Sequence, residues 1–283
     1  MEPTIYLKIG KNGEEFNIAD KIPKLTYLGS ADASSSPQFT NNYEDLSGTD
    51  GSHFLSQTFA KRTFTENFCL YFSDYYDFSL LRHKIYALFG EREKIRVRSD
   101  AHPSKVYFGY VTPFDISPAE QGANYANFSI SFDVPNGYRY SLYRSDSKNF
   151  ETTDGWDLDM NYPTNEVQPH YHYTTTSFKI YNASDIQINP NEQRHDLKII
   201  CKFTGPWMQI TNKTNKTEWK YNVSSDGTQS IILDQLNTTL DGENATGKTD
   251  CNYITLEKGW NDIEVTGATS SDITFSFPFI YLQ

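Results

Sequence analysis

Between positions 125 and 134 the sequence alternates without a break. Phe128, Ile130, Phe132 and Val134 fall on one side, and Asn127, Ser129, Ser131 and Asp133 on the other. Successive side chains of an extended strand point to opposite faces, so this pattern gives one apolar and one wet surface. Strands of that kind belong to antiparallel sheets with a single buried face. Shorter runs repeat the period: Phe64, Phe68, Leu70 and Phe72 share a face, and Ile95 and Val97 alternate with Lys94, Arg96 and Arg98. The 20 Tyr and 19 Phe set against 3 Met favour the same backbone, because aromatic side chains suit a pleated, half-buried surface. The chain is expected to be mainly β.

One segment changes period. Phe78, Leu81, Ile85, Leu88 and Phe89 recur at three- and four-residue spacing, which predicts a helix, the only convincing one in the sequence. Ser73 or Asp74 can cap its start, and Gly90 is expected to end it in the left-handed conformation. Upstream, residues 4–9 and 24–28 read as strands. Residues 30–53 are small, polar and Pro/Gly-containing, so they predict a long loop or arm rather than core.

Residues 144–173 carry charge, Gly155, Pro163 and Pro169 with little apolar period, and mark a boundary. Beyond them, short apolar runs alternate with turn signals such as Asp226-Gly227, Asp241-Gly242 and Lys258-Gly259, the spacing of an all-β sandwich. Two domains are therefore expected: residues 1–140, β-rich with one α-helix, and residues 141–283, a β-sandwich.

The net charge of -11 is uneven: 14 Lys+Arg against 17 Asp+Glu up to position 140, and 11 against 19 after it. An acidic surface opposes wrapping nucleic acid, which needs clustered Lys and Arg. It is compatible with DNA passing through a pore. Of the three cysteines, Cys69 and Cys201 lie in strand-like apolar runs and read as buried thiols, leaving Cys251. No secretory signal opens the sequence and no window is apolar enough for a membrane helix, so synthesis in a cytoplasm and no membrane partner are expected. Seven N-x-[ST] sequons, at Asn127, Asn182, Asn212, Asn215, Asn222, Asn237 and Asn244, read as turn and strand-edge chemistry in an Asn/Thr-rich chain rather than glycan acceptors.

Catalytic signatures are missing: no phosphate-binding glycine loop, no nucleophile elbow, no C-x-x-C and no H-E-x-x-H. No catalytic, cofactor-binding or metal-binding residues are expected, and the chain is not expected to be an enzyme. His170 and His172 would share a strand face, but two imidazoles do not make a metal site. Asp154, Asp157 and Asp159 lack the spacing of a calcium loop. Trp156, Trp207, Trp219 and Trp260 lie in or near the second half, and exposed aromatic rings stack on sugars. The alternative function is thus a carbohydrate-binding adhesion module for host cell-wall polysaccharide. Trp219 alternates with Tyr221 and Val223, which favours core for that ring. The basic run Lys94, Arg96, Arg98 reads as a solvated sheet face first and a subunit interface second.

The order of segments resembles the distal tail proteins (Dit) of siphophages that infect Gram-positive bacteria, over nearly the whole length. Matching features are the polar arm ending in Gly48-Thr49-Asp50-Gly51, the strand containing Arg62, the strand–helix–strand unit from Phe68 to Arg98, and Phe128-Ser129-Ile130-Ser131-Phe132 running into Pro135 and Tyr138. Leu256, Gly259, Asn261 and Ile263, then Ile273, Phe275, Phe277 and Tyr281-Leu282, complete the likeness. The resemblance implies an N-terminal domain that closes into a homohexameric ring, and a galectin-like or jelly-roll C-terminal sandwich. It also implies a virion hub at the tail tip or baseplate. Its expected partners are the tail tube protein, the tail-associated lysin or fibre protein and the receptor-binding protein, with viral DNA only passing through the channel.

Overall fold

The computed structural model describes residues 3–31, 36–148, 156–161, 163 and 168–283. They fall into two compact units, Met1–Arg139 with Leu282–Gln283, and Tyr140–Tyr281.

Unit 1 is built on an antiparallel sheet. Its strands in chain order are β1 (Ile5–Ile9), β2 (Phe16–Asn17), β3 (Leu25–Ser30), β4 (Phe39–Glu44), β5 (His53–Phe59), β6 (Arg62–Tyr71), β7 (Ile95–Ser99), β8 (Lys105–Val111) and β9 (Tyr125–Val134). The spatial order is β2-β1-β7-β8-β9-β6-β3, and β4 pairs only with β5. β6 and β9 match over ten residues, from Arg62↔Val134 to Tyr71↔Tyr125. Phe128, Ile130, Phe132 and Val134 are buried as the alternation requires, together with Phe64, Phe68 and Leu70 of β6.

Two helices accompany the sheet: α1 (Ile18–Lys21), capped by the Asn17 side chain, and α2 (Tyr75–Phe89). α1 is too short to show a period, and the sequence reading missed it. In α2 the buried residues are Phe78, Leu81, Ile85 and Phe89, and Phe89 meets Phe132 across the core with ring centroids 6.3 Å apart. The Asp77 N–H donates to the Asp74 carboxylate at 2.8 Å, while the Asp77 carboxylate accepts from Ser73 N–H at 2.8 Å, so both ends of the first turn are satisfied. Gly90 corrects the expectation of a left-handed stop: its φ is -86°. A side chain is excluded there for another reason, since a Cβ would come within 2.7 Å of the Tyr86 carbonyl oxygen.

The second correction concerns residues 30–53. Part of this segment is strand: β4 pairs with β5 in a hairpin that runs from Phe39↔Phe59 to Glu44↔His53, with a bulge between Asn42 and Tyr43. Its side chains are exposed on both faces, except for the half-buried Phe59 at its base. Aromatic and polar side chains are mixed on both exposed faces, so no single apolar face marks these strands in the sequence.

Unit 2 begins with β10 (Arg139–Arg144), whose first residue closes unit 1. It continues through β11 (His172–Tyr173), β12 (Ser177–Asn182), β13 (Lys198–Gly205), β14 (Met208–Asn212), β15 (Thr217–Tyr221), β16 (Ser225–Asp226), β17 (Ile231–Asp234), β18 (Asn237–Leu240), β19 (Glu243–Asn244), β20 (Gly259–Thr266), β21 (Ser270–Ser276) and β22 (Pro278–Tyr281). One sheet runs β11-β21-β13-β17-β18-β19 with β16 on β13, and another runs β12-β20-β14-β15. Aromatic pairs join them: Phe178 of β12 meets Phe275 of β21, and Tyr221 of β15 meets Phe203 of β13, each at 6.1 Å. This is a two-sheet sandwich with its apolar residues between the layers.

His195 belongs to this interior. Its Nδ1 accepts from the Asn189 N–H at 3.1 Å, and burial lowers its pKa from 6.5 to about 4. The folded state therefore resists a proton that the unfolded chain takes up, so stability is complete above about pH 6.5 and declines as pH falls toward 4. At full extent the loss is on the order of 3 kcal/mol. Urea midpoints at pH 7 and pH 4.5 test this: His195→Gln is expected to show a smaller drop than the unaltered chain, and parallel drops would remove His195 as the cause.

Candidate functional site

Residues that chemistry would require do not converge. His172 Nε2 lies 2.9 Å from Asp272 Oδ1, and both side chains are more than half exposed. Tyr171 between the two histidines is buried, and its hydroxyl donates to the Tyr181 carbonyl at 2.8 Å. His170 and His172 border a cavity of about 210 Å³ with Trp156 and Asp146. Among the described residues no group of three or more His, Cys, Asp or Glu is placed to hold a metal ion. Asp154 lies outside the described residues, while Asp157 and Asp159 flank a turn in which Met160 N–H donates to the Asp157 carbonyl.

The four tryptophans divide. Trp219 is fully buried between the sheets. Trp156 stacks on Phe279 with centroids 5.4 Å apart, Trp260 leans on Tyr181 at 4.9 Å, and Trp207 lies under Lys220 Nζ at 4.7 Å. Trp207 also covers Gly267, where a Cβ would come within 2.2 Å of the ring, so this glycine makes room for the indole. Two sequon asparagines, Asn182 and Asn212, are 0% exposed, and their amides donate to the Leu256 and Thr255 carbonyls. They anchor the 252–258 segment, a structural role closed to a glycan.

What unit 1 presents instead is surface. Phe39, Tyr43, Leu46, Phe54 and Leu55 of the β4–β5 hairpin are each about half exposed. Tyr75 and Tyr76 at the start of α2 are 74% and 84% exposed, and Tyr71 and Tyr125 sit opposite each other on β6 and β9. Contact surfaces of proteins are enriched in aromatic side chains of this kind. The strand β3 stands at one edge of this sheet.

The basic run on β7 is more ordered than a solvated face. Arg96 and Arg98 both donate to Glu15 Oε1 at 3.1 Å, and Arg98 reaches Oε2 at 2.9 Å. Burial pushes the Glu15 carboxyl up, but the two guanidinium groups outweigh it and hold the pKa below the usual value. The Arg98 guanidinium also covers the Tyr6 ring at 4.2 Å.

The sheet, helix and hairpin of unit 1 have a counterpart among known proteins. Residues 11–134 match the family described as the phage tail protein RIFT-related domain. Among solved structures, the Dit protein of phage SPP1 aligns with TM-score 0.66 at 12% identity, covering 97% of this chain and 99% of that one. The chain has a Dit-like fold. SPP1 Dit is described as a paradigm of the hub adsorption apparatus in Gram-positive infecting phages. The phage p2 baseplate in its activated conformation with Sr aligns with TM-score 0.44 at 11% identity, over 98% of this chain and 97% of that one. No curated protein sequence matches. The Dit-like match runs across both units, while the tail-domain match spans β2 to β9. Segment order and strand periodicity thus led to the correct fold, mainly β with two β-rich bodies. The β4–β5 hairpin is the element that they did not resolve.

Proposed function

We propose that this protein is a structural hub of a phage tail tip or baseplate, and that it has no catalytic role. The observation that carries the reading is the whole-chain Dit-like fold together with the phage tail domain in residues 11–134. In this reading residues 1–140 form a homohexameric ring. The acidic sandwich of residues 141–283 faces the other baseplate proteins: a tail tube protein, a tail-associated lysin or fibre protein, and a receptor-binding protein. DNA only passes through the channel.

A closed ring needs two different complementary surfaces on each subunit. Unit 1 supplies candidates in the self-paired hairpin and the exposed tyrosines around α2, whereas among the described residues the large exposed apolar side chains of unit 2 are few: Leu158, Val223 and Leu236. The carbohydrate-binding alternative loses Trp219 to the core, and the other three rings each already pack on a protein neighbour.

Light scattering on the purified chain, with negative-stain microscopy, is expected to give a six-fold mass and a particle with a central hole. A monomer at micromolar concentration that no tail-protein partner assembles would overturn the hub reading. Retention on cell-wall polysaccharide that is lost in Trp156→Ala would revive the alternative.

A further inference from the structure

The hairpin is acidic. No Lys or Arg lies between Lys24 and Lys61, and Glu44, Asp45 and Asp50 gather at its tip. Beside them the Tyr43 and Phe54 rings pack edge-on at 5.9 Å, both about half exposed. β4 and β5 pair with no other strand. A two-stranded ribbon standing alone is marginally stable in water, so an exposed one gains from a surface to lie on.

At the other end of the unit 1 sheet is a surface of opposite sign. Lys8, Lys11, Lys94 and Arg96 border an open cavity of about 480 Å³, with Phe108 and a single carboxylate, Glu93. Arg96 shares Glu15 with Arg98, but Lys8, Lys11 and Lys94 hold no ion pair among the described residues. Lys94 Nζ sits 5.4 Å from the centre of the Phe108 ring. The cavity is thus cationic with an aromatic wall, in a chain whose net charge is -11.

We infer that the acidic tip of the β4–β5 hairpin of one copy docks into the Lys8–Lys11–Lys94 cavity of the next copy. The inference rests on the hub reading and deepens it by naming the two halves of the ring contact. Tip and cavity are different surfaces of one chain, so the contact is head-to-tail, the type that closes rings. Three carboxylates meet three lysines, and Tyr43 and Phe54 meet Phe108. Because the tip and two of the lysines are exposed, the attraction is screened by salt.

The test uses two full-length variants. One carries Glu44→Lys, Asp45→Lys and Asp50→Lys, and the other Lys8→Glu, Lys11→Glu and Lys94→Glu. Each alone sets like charges against each other, and its assembly, followed by analytical ultracentrifugation, is expected to need at least about tenfold more protein. Mixed one to one they should form rings again. In an alternating ring the reversed tip meets the reversed cavity and the native tip meets the native cavity, so every contact is complementary. The unaltered chain supplies a measurement independent of any variant: raising salt from about 0.05 to 0.5 M should weaken its ring.

If either variant assembles as tightly as the unaltered chain, or if the mixture stays dissociated while the unaltered chain forms rings, the latch is wrong and the hub reading stands. Salt-insensitive assembly of the unaltered chain also counts against the latch alone. An unaltered chain that is monomeric at every salt concentration overturns both.

Discussion

Trp219→Ala is expected to remove about 3–5 kcal/mol from the stability of the sandwich. The ring is 0% exposed, pairs in register with Ile210 on β14, and leans on Tyr221 with centroids 6.4 Å apart. Truncation loses the transfer free energy of a large aromatic and leaves a void that strands on both sides cannot close without shifting. Trp219→Phe should cost far less. The indole Nε1 finds no acceptor among the described residues, so phenylalanine gives up volume but also removes a buried, unsatisfied donor. Urea denaturation followed by circular dichroism distinguishes the two. Equal losses for Ala and Phe would mean that Nε1 has a partner and that packing volume is not the main term.

A loss of similar size is expected in unit 1 from Glu66→Ala. Glu66 points into the core from β6, 2% exposed, and accepts from the Tyr27 hydroxyl at 2.6 Å and the Tyr107 hydroxyl at 2.8 Å. Burial and then the Glu66 charge push both phenols well above their usual pKa, so the tyrosines remain donors across the physiological range. Alanine leaves two buried hydroxyls without their acceptor, each costing about 1–3 kcal/mol, and opens a cavity. Glu66→Gln retains one carbonyl acceptor and should lose about half as much. Tyr107→Phe, which removes a single donor, should be milder than Glu66→Ala. An Ala variant with an unchanged urea midpoint would show that the carboxylate contributes nothing net to the fold.

Glu66 also shows where sequence reasoning stops. Phe64, Phe68 and Leu70 announce the buried face of β6, but a carboxylate at the position between Phe64 and Phe68 reads as a break in the alternation. Its tyrosine partners Tyr27 and Tyr107 lie 39 and 41 residues away in sequence. Nothing local reports that they meet. Arg62 is similar: charged, 4% exposed, with its guanidinium over Phe64 at 4.5 Å and donating to the Leu282 carbonyl at 2.9 Å. By contrast β9 and α2 were legible because one face of each is apolar and the other polar, so period alone fixes which residues are buried. The latch residues were half legible. Lys94 stood out in a basic alternation, but Lys8 and Lys11 join it only through the pairing of β1 with β7, which sets Lys8 opposite Arg96. The hairpin's charge was visible in the sequence and its strands were not.

Unit 1 takes in the chain up to Arg139 and then Leu282–Gln283, while everything between belongs to unit 2. The path into the sandwich, β10, and the path out of it, β22, are paired with each other. The sandwich is thus entered and left through two strands that neighbour each other. Such an arrangement lends itself to exchange. A different module with two adjacent ends can be spliced between positions 139 and 282 while the sheet of β1 to β9 keeps its order. On the hub reading proposed above, exchange of that kind would let the outer module change while residues 1–139 stay as they are.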